Sequence, residues 1–288
     1  MMSSKLALGT AQFGLNYGIN NSSGKIPKET AFEILNSAMN NSIDTLDTAA
    51  AYGDSEEVIG AFISKTNSNI KIISKITSNT NCIEGIESSL ARLHINNIYG
   101  LLIHNFNDFK NNNSLWEKLQ ELKQKGKVSK IGFSFYNPVE FDEVLVSGIM
   151  PDIIQAPYSV FDQRFATCFQ ICKKKGIEVH TRSVFLQGLV FKNPNELNSF
   201  FAPIKQKIKK LAEISKEQKI AVNSLCLCFA CLNSNIDKVV IGVDSLNNLN
   251  ENIESLKEMR RVKNVYTALT CLEVKDENMI LPTKWNLQ

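Results

Sequence analysis

Eight short apolar runs, separated by longer amphipathic segments, constrain the fold of this chain more than any other feature of its sequence. The runs predict β-strands at 5–8, 43–47, 70–75, 98–104, 130–135, 153–156, 177–182 and 238–241. Several are apolar almost throughout, which is typical of parallel strands that are buried on both faces. The segments between the runs have helical periodicity and predict helices at 28–41, 54–65, 83–94, 114–125, 138–147, 163–175 and 200–232, the last with a break near 219–220.

Strands that alternate with helices in this number indicate an α/β fold and favour a closed TIM (β/α)8 barrel. An open, doubly wound sheet is the alternative, and it would place a Gly-x-Gly-x-x-Gly turn after the first strand. The sequence there reads Gly9-Thr-Ala-Gln-Phe-Gly14, which does not have that spacing. The polar composition of residues 12–27 predicts a long loop that lies over one end of the barrel or near its mouth. We find no linker or second core, so residues 1–288 are predicted to form a single domain.

The balance of charged and apolar residues argues against several classes of partner. The formal net charge of +3 is too small to indicate nucleic acid or a membrane surface as a partner. No apolar run approaches the ~20 residues that a membrane-spanning helix needs, and residues 1–8 do not resemble a signal peptide. Seven cysteines require no disulfide framework in a chain of this length, so we expect a cytoplasmic protein. We expect it to be a monomer or a weak homo-oligomer.

Local signals predict where several helices begin and end. Ser114 stands three residues before Glu117, a spacing that predicts a capping box at the start of the helix at 114–125. Gly126 and Gly176 stand where helix-ending glycines belong.

A cysteine-rich stretch, Cys226-Leu-Cys228-Phe-Ala-Cys231, contains a Cys-x-x-Cys spacing. A zinc site would need a second pair or nearby histidines, and none of the chain's three histidines has ligand spacing to it. Because the stretch is apolar and helical in pattern, we interpret the cysteines as small buried side chains and predict no metal site. The densest basic run, at 205–210, has an amphipathic pattern and is interpreted as a solvated helix face.

Four polar side chains lie at the carboxyl ends of the predicted strands or directly after them. Asp47 closes the second strand, and Tyr52 follows it in the loop. Lys75 closes the third strand and His104 the fourth. Each has a simpler structural interpretation when taken alone. In a TIM barrel, however, this end of the strands carries the active site, so the four side chains are expected to converge.

An acid, a phenol, an amine and an imidazole together suit proton transfer to a polar substrate. A free phenol has a pKa of about 10, and a neighbouring ammonium stabilises its phenolate form. We expect Lys75 to do this for Tyr52, while Asp47 keeps the ammonium charged and in place. His104 can hydrogen-bond an oxygen of the substrate and fix its direction.

The sequence resembles the aldo-keto reductase family at seven places, in family order. The matching segments are Asp47-Thr-Ala-Ala-Ala-Tyr52-Gly53-Asp-Ser55-Glu56, Ile73-Ser-Lys75, Leu101-Leu-Ile-His104, Lys130-Ile-Gly132-Phe-Ser134, Gln155-Ala-Pro-Tyr158, Ser183-Val-Phe-Leu-Gln187-Gly188-Leu, and Ile241-Gly242 through Glu251-Asn252. They cover essentially the whole chain. The resemblance implies that Tyr52 is the general acid and that His104 lies at the substrate carbonyl. It also implies that Lys75 and Asp47 support Tyr52 from behind.

The same resemblance implies a nicotinamide cofactor, NADP(H) or NAD(H), without a metal. Its implied contacts are Asp47, Ser134, Gln155, Arg182, Ser183, Gly188, Gly242, Asp244, Glu251 and Asn252. Ser134 and Gln155 are expected to face the amide of the nicotinamide. Glu251 and Asn252 are expected to face the adenine end.

The sequence departs from the family pattern at four of its positions. Phe135 follows Ser134 where the family often has Asn, and Tyr99 replaces a common Asp. Arg182 takes the place of a Tyr that often stacks on the nicotinamide, and a guanidinium plane can also stack on a ring. Asp244 replaces the usual basic residue of the adenosine loop, so the preference between NADPH and NADH is left open.

The resemblance implies a reductase that acts on a small-molecule aldehyde or ketone. The segments Gly9-Thr-Ala-Gln-Phe-Gly14 and Ile241-Gly242-Val-Asp244-Ser resemble bacterial members and point to a carbohydrate-derived substrate. Two other hypotheses are kept: a nicotinamide-binding regulatory subunit that senses redox state, and a TIM-barrel lyase or isomerase without nicotinamide. The intact set of four polar residues argues against the first, and the Glu251-Asn252 segment argues against the second.

Overall fold

The computed structural model describes residues 2–18, 24–77 and 82–285. Its strands are β1 Leu6–Gly9, β2 Thr45–Asp47, β3 Lys71–Ile76, β4 Ile98–Ile103, β5 Val128–Ser134, β6 Ile153–Pro157, β7 Glu178–Arg182 and β8 Lys238–Gly242. Each of them overlaps one of the apolar runs in the sequence, so the eight predicted strands are confirmed.

The sheet closes on itself. Every strand pairs in parallel with the next one along the chain, and β8 pairs in parallel with β1. The closing register runs from Leu6 opposite Val239 to Gly9 opposite Gly242. The predicted TIM (β/α)8 barrel is therefore confirmed, and the open, doubly wound sheet is excluded.

Helices surround the barrel. They are α1 Ala11–Gly14, α2 Lys28–Asn40, α3 Ser55–Thr66, α4 Cys82–Leu93, α5 Phe106–Asn111, α6 Ser114–Gln124, α7 Pro138–Val146, α8 Ala166–Lys175, α9 Ala202–Gln218, α10 Val222–Leu232, α11 Leu246–Ser255, α12 Met259–Asn264, α13 Tyr266–Thr270 and α14 Glu277–Ile280. Short 3-10 turns lie at Met2–Lys5, Leu186–Phe191, Pro194–Glu196, Ser199–Phe201, Leu256–Glu258 and Pro282–Lys284. The predicted helices correspond to α2, α3, α4, α6, α7, α8 and the pair α9 and α10.

Several helix ends have clear local causes. At the start of α7, Asn137 Oδ1 accepts a hydrogen bond from the amide of Val139 at 3.1 Å, and Glu140 completes a capping box. Gly176 ends α8 in the left-handed region, with φ 72°, as the sequence predicted. Lys219 ends α9 in the same region, with φ 52°, and this produces the predicted break between α9 and α10.

One expectation about the helices is wrong. The capping box at Ser114 does not form, because the cap position is Asn113 and the Ser114 hydroxyl instead donates to Asn112 Oδ1 at 2.7 Å. Helices α11 to α14, which follow β8, were not predicted from the sequence. The last three of these have six, five and four residues, which is too short for an amphipathic pattern to emerge.

A small cluster of apolar side chains lies inside the barrel. It is separate from the main core, which lies between the strands and the helices. This cluster consists of Ile73, Leu102 and Ile153, with Tyr99 packed against it. Because side chains alternate along a strand, residues two positions further on point the same way. Those residues are Lys75, His104 and Gln155. The apolar cluster thus forms a floor, and polar side chains lie above it at the carboxyl ends of the strands.

The cysteine-rich stretch lies within α10, where its side chains are buried against the core. Burial raises the pKa of the Cys228 thiol to about 12, so the thiol stays protonated at neutral pH. In residues 2–18, 24–77 and 82–285 we find no group of three or more His, Cys, Asp or Glu side chains arranged to hold a metal ion. No helix within these ranges is long and apolar enough to cross a membrane.

Candidate active site

A pocket opens at the carboxyl ends of the barrel strands. Asp47, Tyr52, Lys75 and His104 all line it, so the structure brings together the four side chains that the sequence singled out. The loops after β1, β5, β7 and β8 complete its wall. The described part of the polar loop at 12–27 borders this mouth, as predicted, whereas residues 19–23 of that loop lie outside the described residues.

Lys75 and Asp47 form a buried ion pair in the pocket floor. Lys75 Nζ lies 2.7 Å from Asp47 Oδ2 and donates to the carbonyl of Thr48 at 3.0 Å. Gln155 Nε2 donates to the other carboxylate oxygen of Asp47 at 2.7 Å. Burial by itself lowers the pKa of Lys75. The negative charges of Asp47 and of an ionised Tyr52 raise it by more than that, so the net shift is upward. Lys75 is therefore an ammonium throughout the neutral range.

Tyr52 lies close to both this ion pair and His104. The Nζ of Lys75 is 5.2 Å from the centroid of the Tyr52 ring. The ring of His104 meets the Tyr52 ring edge to face, with centroids 6.1 Å apart and planes at 81°. The phenol thus has both an ammonium and an imidazole as neighbours.

His104 is neutral in the working pH range. Burial lowers its pKa to about 4, and the positive charges of Lys75 and Arg182 act in the same direction. A neutral imidazole has one N–H donor and one acceptor nitrogen. It can therefore hydrogen-bond a substrate oxygen without adding charge to the pocket.

The loop that carries Tyr52 is held by buried hydrogen bonds to two strand ends. The hydroxyl of Ser55 lies 3.0 Å from the carbonyl of Thr10 and 3.2 Å from the hydroxyl of Thr48. The amide of Thr10 donates to the carbonyl of Asp47 at 3.0 Å. These hydrogen bonds therefore join the ends of β1 and β2 and the start of α3 to the Tyr52 loop.

Glu56 anchors the same loop from the outside of the barrel. Its side chain is 1% exposed and accepts hydrogen bonds from the Ser74 hydroxyl and from Arg92 Nε, each at 2.9 Å. Ser74 belongs to β3 and Arg92 to α4. The acidic residue at the end of the first matching segment is thus a structural tie that fixes the start of α3.

Most of the residues expected to contact a cofactor line the pocket. These are Asp47, Ser134, Gln155, Arg182, Ser183, Gly188, Gly242 and Asp244. Glu251 and Asn252 do not line it: they lie on α11, where Glu251 accepts a hydrogen bond from Asn247 at 2.7 Å and Asn252 is 5% exposed. Asn248, one turn earlier on that helix, does line the pocket. Contact of Glu251 and Asn252 with the adenine end stays a prediction.

Gln155 has an unused acceptor in the pocket wall. Its Nε2 is bonded to Asp47, but its Oε1 is buried and has no partner among the described residues. Buried polar atoms almost always have partners, so this oxygen indicates a missing donor. Phe135, which replaces a frequent family Asn, points away from the pocket and stacks on Phe133 with centroids 5.4 Å apart.

Arg182 lies at the end of β7 and reaches across to the loop after β5. Its Nη2 donates to the carbonyl of Phe135 at 3.1 Å, and Nη1 lies 3.4 Å from the Ser183 hydroxyl. The guanidinium carbon is 4.2 Å from the centroid of the Tyr136 ring, a stacked cation–π contact. In this structure the guanidinium therefore stacks on the ring of Tyr136, a residue of the protein, and not on a nicotinamide ring.

The pocket residues that were not predicted from the sequence include Gln12, Tyr17, Tyr136, Gln187 and Asn248. Gln187 Nε2 donates to the Tyr17 hydroxyl at 3.1 Å, which joins the loops after β1 and β7 over the mouth. The rule that strand-end loops carry the site could have indicated Tyr136, which follows β5 directly.

The loop after β7 has an unusual backbone. Ser183, Leu186 and Gln187 have φ values of 64°, 44° and 51°, in the left-handed region. Each such non-glycine residue costs about 1–3 kcal/mol, and such residues cluster at functional sites. The loop therefore holds one defined shape at the pocket wall.

Comparison with known proteins finds one family model that matches most of the chain. The model of the Aldo/keto reductase family matches residues 5–272 of the chain. Among curated proteins, L-galactose dehydrogenase of Arabidopsis thaliana is 25% identical over 186 residues, which cover 61% of this chain and 58% of that protein. An uncharacterised oxidoreductase of Schizosaccharomyces pombe is 27% identical over 163 residues, which cover 52% of this chain and 59% of that protein. The chain thus aligns with less than two thirds of each relative's length.

Solved structures show the same architecture. The holo form of the aldo-keto reductase AKR11C1 from Bacillus halodurans superposes with a TM-score of 0.73 and 19% identity. The superposition covers 96% of this chain and 95% of that one. At this level of identity the likeness establishes the shared barrel fold and leaves the chemistry to the residues of the site.

Proposed function

Because this chain belongs to the aldo/keto reductase family, we propose that it is a nicotinamide-dependent oxidoreductase that reduces an aldehyde or ketone to an alcohol. The observation that carries the proposal is the buried Lys75–Asp47 pair, 2.7 Å apart, beside Tyr52 and His104. Burying an ammonium costs free energy, and here the Asp47 carboxylate offsets part of that cost. A buried charge in a pocket is also a typical feature of a functional site.

The proton is handled by Tyr52. Its hydroxyl donates to the substrate oxygen as that oxygen gains negative charge, and the ammonium of Lys75 stabilises the phenolate that remains. Asp47 keeps Lys75 in position through the 2.7 Å contact. The neutral His104 hydrogen-bonds the carbonyl oxygen and orients it toward Tyr52. In the oxidation direction the same phenolate accepts the proton.

The pocket fits a nicotinamide cofactor, which supplies the hydride that adds to the carbonyl carbon. The unpartnered Oε1 of Gln155 suits the N–H donors of a carboxamide, and the hydroxyl of Ser134 lies in the same wall. Ser183 and Gly188 in the loop after β7 and Gly242 at the end of β8 offer backbone and small side chains to the rest of the cofactor. No metal takes part in this scheme.

Cofactor binding and carbonyl reduction test the proposal together. Purified, dialysed protein is titrated with NADPH and with NADH while tryptophan fluorescence is recorded, and is then given a panel of aldehydes and ketones. We expect saturable binding and carbonyl-dependent loss of the nicotinamide absorbance. Binding without reduction of any carbonyl would favour the regulatory subunit, and no binding at all would favour a lyase or isomerase.

We also propose that the substrate is derived from a carbohydrate. One relative is named L-galactose dehydrogenase, a name that gives a sugar as its substrate. The lining residues Gln12, Gln187 and Asn248 offer amide groups that can hydrogen-bond hydroxyls. Reduction rates on sugar aldehydes, compared with alkyl aldehydes of equal length, measure this preference.

Substitution Gly14→Ala is expected to impair both folding and turnover. A Cβ at Gly14 would lie 1.8 Å from the carbonyl oxygen of Tyr52 and 2.7 Å from the amide of Ser55, both of which are backbone atoms. Overpacking of this kind lowers the free energy of unfolding by about 1–3 kcal/mol. A displacement of about 1 Å at a catalytic group can cost ~10²-fold in rate. Chemical denaturation and steady-state turnover measure the two effects.

Gly126→Ala is the matched control for Gly14→Ala. Gly126 has φ 71°, and a Cβ there meets nothing within 4 Å. It is expected to lose about 1–2 kcal/mol of stability from the left-handed backbone and to keep its turnover. Equal turnover in the two variants would show that Gly14 does not position Tyr52.

Asp244 is expected to weaken any preference for NADPH. Asp244 lines the pocket two residues after β8, where the family usually has a basic residue. A phosphate monoester carries a charge of about −1.5 to −2. A carboxylate at ~4 Å repels each unit of it by ~1 kcal/mol in water-like surroundings and by ~4 kcal/mol at an intermediate dielectric constant. We therefore expect the ratio of kcat/KM for NADPH to that for NADH to stay below about 100-fold.

Asp244→Arg is expected to shift that ratio toward NADPH by about 10-fold or more, or ~1.4 kcal/mol. Dissociation constants for both cofactors, from fluorescence titration, provide a readout that does not depend on turnover. If the substitution leaves both the ratio and the dissociation constants unchanged, Asp244 does not face the ribose of the cofactor.

A further inference from the structure

Arg182 is a charged pocket residue that the proton-transfer scheme does not use. Asp47 and Lys75 neutralise each other at 2.7 Å, and His104, with a pKa of about 4, is uncharged. Among the described residues no carboxylate lies within 4.0 Å of Arg182, including Asp244 on the neighbouring strand end. The guanidinium of Arg182 is thus a charged group in the pocket wall without an ion-pair partner among the described residues.

The guanidinium is held in a defined orientation. Tyr136, on which it stacks, is fixed through its amide, which donates to Glu140 Oε2 at 2.7 Å. The carbonyl of Tyr136 accepts a hydrogen bond from Arg164 Nη2 at 3.2 Å. One Arg182 nitrogen is directed to the carbonyl of Phe135 at 3.1 Å. A guanidinium that is fixed in this way loses little conformational freedom when it binds a ligand.

Donors remain for such a ligand. A guanidinium has five N–H donors in a planar fork, and Arg182 has two hydrogen-bond contacts, at 3.1 and 3.4 Å, among the described residues. The remaining donors border a pocket that also contains Tyr52 and His104. The positive charge of Arg182 also contributes to the lowered pKa of His104, so the guanidinium lies within electrostatic range of that imidazole.

We propose that Arg182 binds a carboxylate of the substrate, so that the enzyme reduces an aldehyde or ketone that also carries a carboxylate group. This inference rests on the proposed reductase function and names the substrate class of the same site. A carboxylate matches the fork of a guanidinium with two parallel hydrogen bonds. Its single negative charge would pair with the single positive charge of the Arg182 guanidinium. A phosphate monoester, with a charge of about −1.5 to −2, would leave surplus negative charge near Asp47.

A matched pair of substrates tests the proposal. 4-Carboxybenzaldehyde and methyl 4-formylbenzoate have the same ring and the same aldehyde, but one is an anion and the other is neutral. We expect wild-type kcat/KM to be at least about 10-fold higher for the anion, or ~1.4 kcal/mol. In Arg182→Met that ratio should fall to about one. The ratio, and not either rate alone, is the readout, because Arg182 is also an expected cofactor contact whose loss lowers both rates alike.

Lys110→Met is the control for a general loss of positive charge. Lys110 lies on α5, at the same end of the barrel, is exposed, and pairs with Glu143 at 2.9 Å outside the pocket lining. It should keep the wild-type ratio between anion and ester. A wild-type enzyme without preference for the anion would overturn the proposal. So would Arg182→Met lowering both rates equally, or weakening the cofactor by more than about 10-fold at an unchanged ratio.

A binding measurement separates this proposal from the reductase function. If neither aldehyde is reduced, the proposed function fails, and calorimetric titration of the protein with benzoate and with benzamide still decides the anion site. We expect benzoate to bind at least about 10-fold more tightly than benzamide, or ~1.4 kcal/mol, and Arg182→Met to abolish the difference. Equal affinities in the wild-type protein would overturn the carboxylate site.

Discussion

Replacing Tyr52 by Phe is expected to lower turnover by about 10²–10⁴-fold, the range for proton transfer by a placed side chain. The substitution removes the hydroxyl that we propose as the proton donor. It keeps the ring that packs against His104 at 6.1 Å and lies 5.2 Å from Lys75 Nζ. The affinity for the cofactor should therefore stay within about twofold. Steady-state kinetics on a good aldehyde, with a deuterated cofactor to verify that chemistry limits the rate, measures the loss.

Tyr99→Phe is the matched control for Tyr52→Phe. Tyr99 belongs to β4 and its hydroxyl donates to Glu178 at 2.8 Å, at the opposite end of the barrel. This variant should turn over at close to the wild-type rate, since the removed hydroxyl lies far from the pocket. The role of Tyr52 as proton donor is ruled out if Tyr52→Phe keeps more than about a tenth of wild-type turnover while chemistry limits the rate.

Lys75→Met is expected to be the most damaging substitution in the pocket, because it acts on stability and on chemistry. Lys75 and Asp47 are 1% and 6% exposed, so removal of the lysine leaves a buried carboxylate whose remaining side-chain contact is Gln155 at 2.7 Å. Breaking a buried pair in this way costs about 3–5 kcal/mol. Urea denaturation at neutral pH measures this loss of the free energy of unfolding.

The chemical effect of Lys75→Met appears in the pH dependence of alcohol oxidation. That direction needs the phenolate form of Tyr52, which a neighbouring ammonium stabilises. Without the ammonium, deprotonation requires a higher pH, so the rising limb of the profile should move upward by about one pH unit or more, or ~1.4 kcal/mol per unit. A profile that keeps its position would contradict the role of Lys75.

Two further variants separate the effects of Lys75→Met. Lys71→Met removes an exposed lysine from the same strand, where Lys71 contacts Asp44 at 3.4 Å, and should change stability by no more than about 0.5 kcal/mol. The double variant Asp47→Asn with Lys75→Met removes both charges and should regain part of the lost stability. Its turnover should stay low, because the phenol of Tyr52 still lacks a cation beside it.

The sequence alone determined the barrel and most of the site, for local reasons. Strand polarity and side-chain alternation are properties of the backbone, so the position of a residue along an apolar run sets the end and the face on which it lies. Lys75, His104 and Gln155 each stand two residues after an apolar residue that forms the floor of the barrel. Their convergence therefore follows from spacing within single strands, and the structure confirms it.

Only the tertiary structure decided which groups are left without partners. Gln155 Oε1 is unused because Nε2 of the same side chain reaches Asp47, 108 residues earlier in the chain. Arg182 has no ion-pair partner among the described residues because Phe135 and Tyr136, in the loop after a strand two places away, supply a carbonyl and a ring but no carboxylate. The tight approach of Gly14 to Tyr52 also appears only in the closed barrel. Pairing between distant loops depends on closure of the whole sheet, and no local periodicity encodes it.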